Sequence, residues 1–452
     1  MQLERRVDES TLRESLETLV EHHEMLRARY AEDADGVVRQ TVEPFEPSLA
    51  RLRVVRSEVD ERSLAEQLEA SLSIDVGPVF GALFDAHRGV LWLAAHHLVI
   101  DAFSWRVLVE DLEAAVTASV EARRAALPRT SSFAQVAAAL GELASRPDIR
   151  AEAPHWDLMS RAAVPAVPVD ETGSADEDAE PKEGRFRDAR SVEVVFPAED
   201  SRRLSEAVDA SGLVTIEEAL IAALAIGYRR WSGRSAVRLE LEGHGRDVEL
   251  EGVETSRTVG WLTVAHPVRL ELPEEDDPAL WLTDVRAQLR RVPNGGVGYG
   301  LNRHLAERAD DAPYPRPQIA FNFLGRATDI VRPGFGRASL NPFGLPVAGD
   351  NVRPAMLLVV AYLTDAGLEW VIDYPARVLR AGRVEALAGA IVDALRAVAR
   401  ELEVAQGRRA RPLDFPLVEL DDATLESLRP GGEIEDVLPL TPLQEEIGRA
   451  HV

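Results

Sequence analysis

The sequence contains no cysteine. That excludes disulfide staples, thiolate metal ligands and a thiol nucleophile supplied by the chain itself, and it fits a cytoplasmic setting. Long apolar runs are also missing. Nothing approaches the roughly eighteen uninterrupted apolar residues that span a bilayer, so no membrane association is expected. The opening MQLERRVDES has no apolar core of a signal peptide. Positive charge is scarce: 51 Lys and Arg stand against 77 Asp and Glu, a formal net charge of -26. A phosphate backbone would be repelled, which argues against a nucleic-acid partner. What is present is bulk: 452 residues, 46 % of them hydrophobic, enough for two core-bearing units.

Periodicity places the elements. Leu12, Leu16, Leu19, His23 and Leu26 recur at helical spacing and predict a helix over 11–29, with Thr11 and Glu14 as a capping box. Residues 89–95 form a short apolar run and predict a buried strand, followed by a helix over about 103–119. Residues 169–185 are acidic and poor in large apolar side chains, which predicts a linker. Beyond it, strands are expected at 191–196, 236–242 and 317–323, and helices at 198–210, 215–231 and 381–402. The runs 356–363 and 368–374 flank Thr364-Asp365-Ala366-Gly367, a hairpin signal. Residues 406–437 read as a polar connector. No internal repeat is visible, and the layout is two α+β units.

Several segments could carry chemistry. His96-His97-Leu98-Val99-Ile100-Asp101, followed by Ser104, sits at a strand end in a loop that feeds a helix, where catalytic groups are often framed. A neutral imidazole suits proton movement near neutral pH. Two readings stay open: a proton-handling pair, and two histidines packed at a strand end. Adjacent histidines in a strand point to opposite faces, so a shared zinc ion is the weaker idea. Glu242-Gly243-His244-Gly245-Arg246-Asp247 follows an alternating strand. Its carboxylate could be a base, or part of a charged turn closing the strand. Pro293-Asn294-Gly295-Gly296-Val297-Gly298-Tyr299-Gly300 lacks the Lys-Ser/Thr of a phosphate loop and reads as a flexible turn. No Gly-x-Ser-x-Gly elbow occurs, which argues against an α/β-hydrolase.

In order along the chain, these segments resemble the epimerization domains of non-ribosomal peptide synthetases. HHLVIDAFS at 96–104 resembles the condensation-type motif HHxxxDGxS. TIEEALIAALAIGYRRW at 215–231 resembles the helical motif that follows it. EGHGRD at 242–247 is similar to EGHGRE, RTVGWLTVAHPV at 257–268 to RTVGWFTxxYP, PNGGVGYG at 293–300 to PxxGxGYG, and FNFLGR at 321–326, which contains Asn322, to FNYLGQ. The EGHGRD element points to epimerization rather than peptide-bond formation. The departures are Ala102 for the usual glycine, expected to stiffen the loop, Asp247 for glutamate, and Leu262 and His266 for aromatics, expected to reshape the pocket. The family's earliest motif is absent, so the first strand and helix of the N-terminal lobe are expected to be missing. LPLTPLQE at 438–445 resembles the start of a downstream condensation domain, and the final IGRAHV resembles a translated sequencing adapter.

The resemblance implies a chloramphenicol-acetyltransferase-like α+β fold: two lobes in a V, at 1–168 and 186–405. It implies that His97 and Glu242 act on either side of the α-carbon of an aminoacyl or peptidyl thioester. His96, Asp101, Ser104, His244, Arg246, Tyr299 and Asn322 would support them: Asp101 by holding the loop, Arg246 by pairing with a carboxylate or steadying the negative intermediate, Tyr299 as a proton donor or a pocket wall. No metal, nucleotide or redox cofactor is implied. The substrate would arrive on the phosphopantetheine of an upstream carrier domain, beside an adenylation domain. Two other readings compete: an amide-forming condensation domain, and an inactive docking platform.

Overall fold

The leucine spacing near the N-terminus does make a helix, but a shorter one than the periodicity predicts. The computed structural model describes residues 1–4, 6–56, 60–170, 184–212, 214–305, 315–326, 335–337, 347–405, 418, 420–428, 434 and 437. In it, strand β1 (Gln2–Leu3) precedes helix α1 (Glu9–His22), which is capped by Asp8 accepting from the Thr11 amide rather than by Thr11. The helix stops because His23 leaves helical geometry, at φ -96° and ψ 98°, and is drawn into a 2.9 Å bond with buried Asp111. The apolar residues beyond it continue as a short 3-10 turn over Glu24–Arg27 and then as β2 (Ala28–Glu32), which pairs with β3 (Val38–Val42). There follow β4 (Arg51–Val55), α2 (Glu61–Glu69), β5 (Phe80–Asp85), β6 (Val90–Ala95), α3 (Ala102–Val120), α4 (Phe133–Ala144), the single turn α5 (Pro147–Arg150) and α6 (Ala153–Arg161).

The later half holds β7 (Ala189–Pro197), α7 (Ala198–Ser211), α8 (Ile216–Ser232), β8 (Ala236–Gly243), β9 (Val264–Glu271), α9 (Pro278–Leu289), α10 (Val297–His304), β10 (Ile319–Arg326), β11 (Gly336–Arg337), β12 (Leu357–Thr364), β13 (Gly367–Pro375), α11 (Ala381–Ala405) and α12 (Asp422–Leu428). The hairpin expected around Asp365 is β12–β13, with Thr364 opposite Gly367. The glycine-rich segment differs from expectation: only Pro293–Gly296 is a turn, and Gly298, Tyr299 and Gly300 lie inside α10. The expected connector contains α12. Residues 171–183 of the expected linker, and 438–452, lie outside the described residues.

Two sheets organise the strands, in the orders β11-β1-β6-β5-β4 and β7-β13-β12-β10-β8-β9. In the second, β8, β10 and β12 run parallel and β13 returns antiparallel. Alternation gives this sheet two unlike faces. Leu239, Leu241, Phe321, Val359, Trp370 and Ile372 line a fully buried one, while Glu240, Glu242 and Asn322 lie half-buried on the other.

The chain divides into two compact units, one built from Met1–Phe196, Arg238–Arg269 and Pro293–Val384, the other from Pro197–Val237, Leu270–Val292 and Glu385–Val452. The first owns a core in which Leu12, Leu16 and Leu19 of α1 meet Leu108 and Leu112 of α3 and Phe80 and Leu91 of β5 and β6. The second is helical. In it α8 crosses α11 closely enough that a Cβ on Gly227 would lie 2.9 Å from the Ile391 backbone nitrogen, and Arg290 pairs with Glu218 at 2.9 Å. Among the described residues, no single helix is long and apolar enough to cross a membrane.

Candidate active site

The first unit contains every residue that the sequence nominates. Strand β6 ends at Ala95, and the next residue, His96, accepts from the Leu98 amide at its ring Nδ1 (3.2 Å) and so caps the short turn His97–Val99. Burial and the neighbouring His97 both lower the His96 pKa, which keeps that ring neutral. The pair therefore splits into two roles. His96 shapes the turn, and His97 at its first position is exposed. The His97 ring lies 5.1 Å from that of Trp261, tilted by 59°.

After Ile100 the chain enters α3 through Asp101. Its Oδ1 accepts from the Ser104 amide at 2.8 Å and from the Ser104 hydroxyl at 2.7 Å. Arg246 closes on the same carboxylate with two forked bonds of 2.8 and 3.1 Å, and the Leu262 amide donates to Oδ2 at 3.0 Å. Arg246 donates further to the carbonyls of His244 and Thr258, and its guanidinium stands 4.4 Å from the centre of the Phe103 ring. Both partners are almost fully buried, at 3 % and 1 % side-chain exposure. Of the alternatives open for Arg246, pairing with a carboxylate is what the structure contains. Arg246 and Asp101 thus lock the histidine loop to the EGHGRD turn and to the Thr258–Leu262 segment. The turn fits because residue 245 is glycine: its φ is +67°, and a Cβ there would stand 1.9 Å from the Leu262 carbonyl oxygen. Ala102 is exposed at the first position of α3 and needs no positive φ, so alanine in place of glycine favours the helix start.

Glu242 stands near the end of β8 on the polar face of the sheet. Asn322 of β10 donates to its Oε2 at 2.6 Å. Burial pushes its carboxyl above the ordinary 4.5, while positive charge on His97 pulls it back down. That coupling makes His97 and Glu242 electrostatic neighbours. Two nominated residues stand apart from this arrangement. His244 is exposed and finishes the turn, accepting from the Arg246 amide at 3.2 Å and lying 3.3 Å from Asp247. Tyr299 is buried, with its ring centre 5.6 Å from that of Trp156 and its hydroxyl accepting from Arg303 at 2.7 Å.

Leu262 and His266, where the family carries aromatics, are both buried. Burial pushes His266 down to about 4, with His155 adding to the shift. Its ring fills the place above Gly296, where a Cβ would meet Nδ1 at 2.2 Å. Sequence reasoning passed over Trp261. The signal was a large aromatic directly after Gly260, inside the RTVGWLTVAHPV segment. It also passed over His22, His23 and Asp111, whose ligand atoms lie within 4.8 Å of one another. Asp111 is already bonded to His23 and, at 2.6 Å, to Arg257, so a cation there would face a guanidinium.

Comparison with known proteins places this geometry. The condensation domain family model matches residues 1–410. The chain is 32 % identical over 462 residues to a linear gramicidin synthase subunit of Brevibacillus parabrevis, covering 97 % of this chain and 6 % of that protein. It is 31 % identical over 381 residues to surfactin synthase subunit 1 of Bacillus subtilis, covering 81 % and 10 %. The chain thus spans a tenth or less of these relatives. Among solved structures it is similar to the epimerization domain from the third module of tyrocidine synthetase B, with a TM-score of 0.77, 25 % identity and coverage of 89 % and 91 %. It is also similar to the SgcC5 protein of Streptomyces globisporus, with a TM-score of 0.64, 21 % identity and coverage of 87 % and 90 %. The fold is the chloramphenicol-acetyltransferase-like α+β fold of these domains, and the chain belongs to the condensation domain family.

Proposed function

We propose that this domain inverts the α-carbon of an aminoacyl or peptidyl thioester presented on the phosphopantetheine of a carrier domain. The observation that carries the reading is Glu242: a half-buried carboxyl, held by Asn322, electrostatically coupled to an exposed imidazole at His97. The thioester acidifies the α-hydrogen, but removal near neutral pH still needs a positioned base. Neutral His97 takes that proton, and the electron pair of the C–H bond moves into an enolate. The imidazolium left behind stabilises the enolate charge. Glu242, in its protonated form, delivers its proton to the opposite face of the same carbon. The product is the epimer, with no net gain or loss of protons. Arg246 takes no part in this sequence, because its hydrogen bonds go to Asp101, Ser104 and backbone carbonyls. The likeness to an epimerization domain supports the assignment.

The test is α-hydrogen exchange from deuterated water into a carrier-bound aminoacyl thioester. His97→Ala and Glu242→Gln should each slow exchange by roughly 10²–10⁴-fold, the scale of a lost general acid or base. Wild-type exchange in both variants overturns the mechanism. The family match favours a second reading, amide formation, in which His97 positions an amine. A loaded acceptor carrier added to the same assay separates them: new dipeptide without inversion supports condensation. Carrier binding with neither outcome supports a docking platform.

A further inference from the structure

Of the seven tryptophans, Trp261 alone is exposed, at 47 %. The other exposed large apolar side chains among the described residues are valines and leucines. Its neighbours in sequence go the other way: Val259, Gly260 and Leu262 are buried. The chain therefore turns one large aromatic ring outward from an otherwise buried run. That placement leaves apolar surface in water, which any apolar group laid against it would remove at a gain.

The ring is held there by the same element that holds the histidines. The Gly260 amide donates to the Ser104 Oγ at 3.2 Å, and the Leu262 amide to Asp101 Oδ2 at 3.0 Å. Both peptide neighbours of Trp261 thus end on the first turn of α3 and its cap. Gly260 also lies on the Phe133 ring, where a Cβ would stand 2.4 Å from a ring carbon. Phe133 packs in turn with Val99 of the histidine turn. Trp261 and His97 share one foundation, and their rings meet with centres 5.1 Å apart. An exposed ring anchored on both sides is pre-organised, so covering it costs little ordering.

We infer that Trp261 is the specificity-determining residue for the side chain on the reacting carbon: the indole is the surface on which that side chain lies, and it selects large apolar side chains over polar ones of the same shape. The inference rests on the proposed epimerization for where the α-carbon lies, about 3–3.5 Å from the His97 ring. The side chain begins one bond further on, so an indole 5.1 Å from the imidazole is within its reach. An apolar side chain covers the indole and loses nothing. An amide of the same shape turns its own donors and acceptors towards carbon, at a desolvation cost.

The experiment is calorimetric titration of the 452-residue chain with acylated phosphopantetheine amides, stable analogues of the thioester. The probes are the leucyl, asparaginyl and alanyl forms, and phosphopantetheine without an acyl group. Wild-type protein should bind the leucyl form roughly tenfold more tightly than the near-isosteric asparaginyl one, the scale of covering on the order of 50 Å² of apolar surface. Trp261→Ala should abolish that preference by weakening leucyl binding alone. Unchanged asparaginyl and alanyl binding in the same variant shows that it is folded. Trp261→Phe, which keeps an aromatic ring, should retain most of the preference. Equal binding of leucyl and asparaginyl forms by wild type overturns the inference. So does an equal loss of all four probes in Trp261→Ala, which would assign the indole to the arm, and so does a leucyl preference that survives in that variant. Because this readout needs no turnover, a Trp261-dependent leucyl preference without hydrogen exchange in wild type would sink the epimerization reading and leave the side-chain surface standing.

Discussion

Two acidic groups in the first unit, Asp101 and Glu242, make a useful contrast. Both come from short charged motifs, and both sit beside a basic partner. Asp101 is saturated: Arg246, the Ser104 amide and hydroxyl, and the Leu262 amide all bond to it, and it is buried. Glu242 is half-buried, bonded to Asn322, and only coupled through space to an exposed histidine. A saturated charge pair is a fastener, because its protonation would strand a buried partner. A carboxyl held short of saturation can change protonation at modest cost, which proton transfer requires. One six-residue motif, EGHGRD, supplies a member to each arrangement, Arg246 to the first and Glu242 to the second.

The largest effect that tests this contrast is expected at Arg246. Arg246→Ala leaves Asp101 as an uncompensated buried carboxylate, and breaking such a pair costs about 3–5 kcal/mol. Denaturant unfolding of wild type and variant measures it. If Arg246→Ala unfolds like wild type yet loses hydrogen exchange, Arg246 belongs with the chemistry and the contrast collapses.

A smaller effect separates the two carboxyls by pH. Burial raises the Glu242 pKa above 4.5, so the folded state holds this proton more tightly than the unfolded chain does. Its stabilising contribution is fully present below about pH 4.5 and is lost as pH rises through the raised value. Above the raised value the ionised group is therefore a burden. Glu242→Gln should be more stable than wild type at pH 7, with the advantage fading as pH falls towards 4.5. Denaturant melts at several pH values check it. A variant less stable than wild type at pH 7 would mean that ionised Glu242 is itself a fastener.

How much of this is legible in the sequence follows from the same distinction. The motif order carries the family and the fold, because six short patterns in sequence do not recur by chance in an unrelated chain. The strands around Leu239, Phe321 and Val359 are legible from alternation and apolar runs, since burial on one face leaves a period of two. The bond between Asp101 and Arg246 is not, because 145 residues separate them and nothing local marks the pair. Periodicity overextends helix α1 for a related reason. His23 keeps the helical period but bonds Asp111, 88 residues away, and a tertiary contact overrides propensity there. The glycine-rich segment reads as a turn because glycine disfavours helices. Gly298 is tolerated in α10 because Glu152 closes against it, where a Cβ would lie 1.8 Å from a carboxylate oxygen.

The smallest effect concerns Ala102, the departure expected to stiffen the histidine loop. Here the residue opens α3 directly after its Asp101 cap. The fastener holds the loop through Asp101, whichever small residue follows. Ala102→Gly should therefore cost only about 0.5–1 kcal/mol, the ordinary difference in helix propensity, and leave exchange kinetics near wild type. A larger loss of exchange than of stability would show that helix rigidity at residue 102 reaches His97, and that the fastened and the reactive groups are less separable than their hydrogen bonds indicate.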